Sequence, residues 1–239
     1  HLILIDGASR LDLTPDAGRA LHETDIAISA DGQVAAALWT TGANPDDFAP
    51  DTAVRRFDLT GGSSRLVGSV PRVTHANVRL NADGSRIGAA RSEPRMMARF
   101  GRPLVGYYDA ADSFHPLCEG TDHWGSPMCW AGESLICTAP VHGHTRLLRY
   151  APGAEEAVEL STVGTFSNAT MMPDGRVLAL QSRWFRPAEP VAVSLPDGSV
   201  QQLASLSGFD GQETLTSTCA FEDLRIESSV DGTPIQSWV

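Results

Sequence analysis

Apolar runs that enter a short turn and leave as a second apolar run recur along this chain. The clearest are DIAISADGQVAAALW from Asp25, HANVRLNADGSRIGAAR from His75, SPMCWAGESLICTAP from Ser126 and NATMMPDGRVLALQS from Asn168. Alternation bounded by turn residues predicts β-hairpins. The turns fall at Gly32, Gly84, Glu133 and Gly175, roughly 42 to 52 residues apart, with Glu133 standing where the other copies carry glycine. That period is close to one propeller blade of roughly 40–50 residues.

Extending the pattern predicts the remaining strands. Residues 2–14 read as two outer strands of an incomplete blade. Full blades follow with strands at 25–31, 33–40, 53–60 and 64–69; at 75–82, 85–91, 103–110 and 115–120; at 126–131, 134–139, 145–152 and 157–161; and at 167–172, 176–182, 190–198 and 200–206. The expected fold class is all-β, a partial β-propeller of about four four-stranded antiparallel blades plus an incomplete N-terminal blade. The opening strands have no partner on their N-terminal side, so the chain is expected to start inside a blade.

Each Asp-Gly turn has a structural explanation. Gly accepts positive φ, and Asp hydrogen-bonds the backbone two residues on. Asp31, Asp83 and Asp174 are therefore expected to be turn residues and not catalytic. In an up-and-down blade the turns after strands one and three share one face, and those after strands two and four share the other. The Asp-Gly turns take the first face. The second carries the segments 40–51, 92–102, 141–144 and 183–190, which read as longer loops. Loops held on a rigid scaffold are the usual place for binding.

Composition narrows the chemistry. The 239 residues carry a net charge of −11, which argues against a nucleic-acid partner. All 18 basic residues are arginine, so no lysine serves as a Schiff-base or phosphate-loop amine. No apolar stretch approaches the roughly 20 residues that span a membrane, and no signal peptide opens the chain. Cys118, Cys129, Cys137 and Cys219 form no C-x-x-C pair and read as free thiols, although Cys129 and Cys137 flank one turn and could face each other in a disulfide. A cytoplasmic protein is expected.

After the last blade comes a segment unlike the repeats, ending in EDLRIESSVDGTPIQSWV from Glu222 to Val239. It resembles the segment by which prolyl oligopeptidase-family serine peptidases leave their propeller: an acidic residue, an apolar strand, Ser-x-Asp-Gly, then a strand ending in an aromatic and an aliphatic residue. Leu224, Arg225 and Ile226 fill the first strand and Ile235 to Val239 the second, with Asp231-Gly232 as their turn. The blade hairpins themselves look like those of the acylaminoacyl-peptidase and dipeptidyl-aminopeptidase branch. The resemblance implies a propeller over 1–207, then a linker and the first strands of an α/β-hydrolase domain over 208–239, in a chain truncated before the catalytic part. It further implies a gating and substrate-access role, with that hydrolase domain and a short peptide as partners. The sequence departs from the family in having no Gly-x-Ser-x-Gly elbow, so no catalytic residue carries over. The other reading is a non-enzymatic TolB-like or WD-repeat-like propeller that binds a protein partner.

Two cationic and aromatic segments on the second face are the candidate substrate or domain contacts. One holds Arg95, Arg99 and Arg102; the other holds Arg183, Trp184 and Arg186. A guanidinium meets a carboxylate bidentately or a carbonyl directly, which suits a peptide. His142-Gly143-His144 has unconvincing spacing for a metal site, and no cofactor or metal is expected. Trp124 and Trp130 are expected to pack between blades.

Overall fold

Both faces of most strands in the second and third blades are apolar, because each of those blades lies between two others. In HTRLLRY, for example, Leu147 packs with Phe166 and Val191 on one side, while Leu148 and Tyr150 pack with Val105 and Leu135 on the other. The computed structural model describes residues 1–21, 25–42, 50–93, 103–161, 163–184, 186–205, 208 and 223–238.

An N-terminal hairpin pairs β1 (Ile3–Asp6) with β2 (Ser9–Asp12). Four four-stranded antiparallel sheets follow. The first holds β3 (Ile26–Ile28), β4 (Val34–Gly42), β5 (Asp51–Asp58) and β6 (Ser64–Val67). The second holds β7 (Thr74–Leu80), β8 (Ile87–Ser92), β9 (Leu104–Tyr108) and β10 (Phe114–Pro116). The third holds β11 (Ser126–Ala131), β12 (Ser134–Val141), β13 (His144–Tyr150) and β14 (Val158–Glu159). The fourth holds β15 (Thr165–Met171), β16 (Val177–Arg183), β17 (Arg186–Val193) and β18 (Val200–Gln202). Each is ordered strictly along the chain. A final hairpin pairs β19 (Asp223–Glu227) with β20 (Pro234–Trp238) around the Asp231-Gly232 turn, as expected from the sequence. The fold is all-β, a partial β-propeller with no helix among the described residues.

The first strands of the blades are innermost and pack on one another, β7 against β3 and β11, and β11 against β15. Arg79 on β7 ties three blades together. Its Nη1 donates to both oxygens of Asp25 at 2.9 and 3.1 Å, its Nε to the Met128 carbonyl at 2.7 Å, and its own carbonyl accepts from Trp130 Nε1 at 3.0 Å. Between the blades lie apolar layers. Leu135 and Ile136, adjacent on β12 and fully buried, belong to different layers. Each such side chain contributes roughly 1.5–3 kcal/mol by leaving water.

The Asp-Gly turns behave as their chemistry dictates. Asp31, Asp83, Asp174, Asp197 and Asp231 each accept, through Oδ1, the amide of the residue two positions on, at 2.9–3.1 Å. Side-chain hydrogen bonds with Ser29, Ser85, Arg176, Ser194 and Ser228 respectively, and after them these amide bonds, hold all five carboxyls below the usual range. In the degenerate third copy the positive φ shifts to Gly132, one residue before Glu133, and the turn shortens to two residues.

Three expectations are corrected. The segments 141–144 and 183–190 are not long loops: β12 runs to Val141 and β13 begins at His144, while β16 runs to Arg183 and β17 begins at Arg186. Apolar pairing simply continues further than the polar residues suggested. Cys129 and Cys137 do not face each other. A bulge sets Cys129 opposite Ile136 and Cys137 opposite Pro127, and the two thiols pack in different interblade layers. Cys118, Cys129 and Cys137 are free. Trp130 is buried as expected, whereas Trp124 is half-exposed and does not pack between blades.

Candidate functional site

The turns after the second strands lie on the rim opposite the Asp-Gly turns. In the third blade this turn is His142-Gly143, with φ of 46° and 75°, the positive pair that a two-residue hairpin of matching twist requires. In the fourth blade the turn begins at Trp184. Between them runs the connection from β14 to β15, where Gly164 takes φ +87°. A side chain at Gly164 would press on the Gln181 side chain and the Ser182 carbonyl. Its small size therefore lets the blade connection approach β16 closely.

These three segments enclose a pocket of about 570 Å³ lined by His144, Arg146, Val163, Gly164, Arg183 and Trp184, among others. Arg146 forms its floor. The guanidinium Nη1 donates to the Gly164 carbonyl at 2.7 Å and Nε lies 3.3 Å from Glu159 Oε1. Burial lowers the Arg146 pKa, and the Glu159 carboxylate opposes that effect. Arginine stays protonated through any such shift, and Glu159 balances part of its charge at the pocket floor.

Arg183 is placed by Gln181, a buried side chain on β16. The Gln181 amide donates from Nε2 to the Val163 carbonyl at 2.7 Å, and its Oε1 accepts from Arg183 Nη2 at 3.4 Å. The Trp184 ring stands edge-on to the His144 ring, with centroids 6.1 Å apart and planes at 69°. Trp184 is 53% exposed, so a large aromatic surface lines the mouth of the pocket. The pocket thus offers an anchored cation, a second cation at its edge and an aromatic wall. This combination suits a carboxylate or peptide carbonyl attached to an apolar group.

Of the residues singled out in the sequence, Arg183 and Trp184 line this pocket. Arg186 pairs with Arg183 across the hairpin. Arg95, Arg99 and Arg102 lie outside the described residues. Sequence reasoning missed Arg146, Gly164 and Gln181. Arg146 sits in an alternating strand where an arginine reads as solvated, and Gln181 reads as an ordinary strand residue. Gly164 alone carried a signal, as a glycine joining two blades with no partner to make an Asp-Gly turn. Among the described residues no cluster of three or more potential metal ligands occurs.

No protein-family model and no curated protein matches the chain. Solved structures do. A mutant puromycin hydrolase complexed with PGG is 16% identical with a TM-score of 0.60, over 90% of this chain and 33% of that one. A Mycobacterium tuberculosis puromycin-hydrolyzing peptidase is 18% identical with a TM-score of 0.56, over 89% and 33%. TolB from Acinetobacter baumannii is 17% identical with a TM-score of 0.54, over 76% and 44%. At these identities the likeness is one of fold, and the fold is that of a β-propeller. The chain spans from 33% to 44% of the length of these three proteins.

Proposed function

We propose that this chain is the propeller part of a prolyl oligopeptidase-family serine peptidase acting on short peptides. An α/β-hydrolase domain of the same polypeptide would supply the nucleophile, acid and base. Residues 1–207 would form the propeller, and 208–239 a linker and the first strands of that domain. The observation that carries the reading is the pocket between the third and fourth blades, which gathers Arg146, Arg183 and Trp184 on the rim opposite the Asp-Gly turns. The fold likeness to two puromycin-hydrolysing enzymes supports it.

In this role the propeller covers a catalytic centre, admits only small peptides and keeps water from it. Arg183 and Arg146 hold a peptide carboxylate or carbonyl, and Trp184 packs on an adjacent side chain. Arg95, Arg99, Arg102 and Arg186 are assigned to the same contact or to the domain interface. Their contribution is positioning, which converts binding into orientation of the scissile bond. The free thiols of Cys118, Cys129 and Cys137 support a reducing, cytoplasmic setting.

The test is the full-length polypeptide and its coding sequence beyond Val239. Gly-x-Ser-x-Gly, then Asp, then His in an α/β pattern is expected there, together with hydrolysis of aminoacyl or acyl-peptide chromogenic substrates blocked by a serine-directed inhibitor. A coding sequence with no such triad would overturn the peptidase reading and leave a TolB-like binding propeller.

A further inference from the structure

Arg56 and Arg65 are direct cross-strand partners on β5 and β6. Like charges directly opposite in an antiparallel pair repel and destabilise it unless something neutralises them. Arg56 donates from Nη1 to the Gly84 carbonyl of the next blade at 2.5 Å. Among the described residues no carboxylate stands within ion-pair distance of Arg56. Arg65 makes two bonds from Nη2 alone, to the Ala110 carbonyl at 3.1 Å and to Asp112 Oδ1 at 2.8 Å. Each guanidinium therefore keeps a free edge.

Both line a pocket of about 420 Å³ on the rim of the Asp-Gly turns, together with Asp58, Ser63 and Ser64. Asp58 is committed to its own turn, where Oδ1 accepts from the Thr60 amide and hydroxyl and the Gly61 amide at 2.9, 2.6 and 3.0 Å. Ser64 Oγ accepts from Arg55 Nε and Nη2 at 3.0 and 2.9 Å, which leaves its own proton for another acceptor. The pocket so holds two half-used cations and hydroxyl donors; its one lining carboxylate is bonded in the turn through Oδ1, and its charge, with those of Asp112 and Asp83, acts on Arg56 without forming an ion pair with it.

We propose that this pocket binds a phosphate-type oxyanion, inorganic phosphate or a phosphomonoester, held between Arg56 and Arg65 with Ser63 and Ser64 as hydroxyl donors. A single planar fork satisfies a carboxylate, whereas two guanidiniums on separate strands and two hydroxyls match an ion with three or more outward oxygens. The chain carries a net charge of −11, so a general basic surface does not account for anion binding here. Asp112 already pairs with Arg65, and the bound ion adds the counter-charge that Arg56 lacks at ion-pair distance. Because Arg56 reaches Gly84 and Arg65 reaches Ala110 and Asp112, it also stiffens the junction between the first two blades. The site lies on the rim away from Arg183 and Trp184, and it stands whether or not the peptidase reading does.

Calorimetric titration of the protein with inorganic phosphate, glycerol phosphate and acetate at fixed ionic strength tests this, with Tm followed in parallel. Saturable binding of one phosphate per chain is expected, with a rise in Tm and with acetate at least about tenfold weaker. Affinity should fall about tenfold or more in Arg56→Gln and in the Ser63→Ala, Ser64→Ala double variant, which keeps both arginines and so tests the site independently of folding. Tighter binding of the free ion or of the monoester identifies which source the pocket favours. Absence of saturable binding, acetate matching phosphate, or full affinity in both variants would overturn the proposal.

Discussion

The Nε2 atom of His75 lies 2.7 Å from the Tyr108 hydroxyl, and its Nδ1 lies 2.8 Å from the Thr52 carbonyl, in a junction between the first two blades where His75 is only 5% exposed. The carbonyl can only accept, so Nδ1 carries the proton and Nε2 accepts from the tyrosine. Burial is the main cause that lowers the His75 pKa from 6.5 to about 4; the Thr52 bond opposes it, and the nearby Arg91 cation adds to it. Burial likewise pushes Tyr108 up to about 12, with Arg91 opposing.

Acid should therefore weaken the fold above the range where carboxylates titrate. In the unfolded chain His75 protonates near 6.5, in the folded chain near 4, so stability is whole above the first value and declines as pH falls towards the second. The loss is about 3 kcal/mol. Urea unfolding at several pH values should show this decline between about 6.5 and 4 in the wild type, and a much shallower one in His75→Gln. The Asp-Gly carboxyls, being depressed, lose their contribution only below that window.

Gly68→Ala should be among the most damaging small substitutions. Gly68 takes φ +67°, and an added Cβ would collide with the Tyr108 hydroxyl and ring. Strain and displacement of the His75 partner act together, for a cost of roughly 2–4 kcal/mol. A melting temperature unchanged from wild type would show that Tyr108 moves aside freely.

Trp184→Ala should separate binding from stability. The ring is half-exposed at the pocket mouth, so Tm is expected to change little. Under the proposed peptidase function, KM for short peptides with an apolar residue should rise several-fold while kcat holds, as removal of uniform binding predicts. Arg183→Ala should act in the same direction. An unchanged KM in both would disconnect the pocket from substrate.

Thiol labelling should be slow for Cys129 and Cys137 in the native protein. Burial pushes the Cys129 thiol up to about 12 and the Cys137 thiol well above its usual value, so neither supplies thiolate at neutral pH. Mass spectrometry of the peptides carrying each residue is expected to show labelling only after denaturation, and no bond between the two under mild oxidation.

The hairpins and their order were legible because their determinants are local. Alternation and the Asp side chain acting two residues on lie within a few positions of one another, and residues 126–131 and 134–139 fell on β11 and β12 almost to the residue. The same locality made Arg183 and Trp184 readable as neighbours on one rim. Polar residues at 141–144 and 183–190 misled, because continued backbone pairing with the next strand outweighs local polarity.

Sequence alone determined a repeated hairpin, an all-β propeller and a rim free of Asp-Gly turns, since each follows from patterns shorter than a blade. Tertiary structure decided what those elements bring together. Arg146 reaches Gly164 across 18 residues, Arg56 reaches Gly84 across 28 and His75 reaches Tyr108 across 33. Such contacts arise only when strands and blades pack together, because packing fixes which strand face meets which, and a single bulge like that at Cys129 redirects the side chains beyond it.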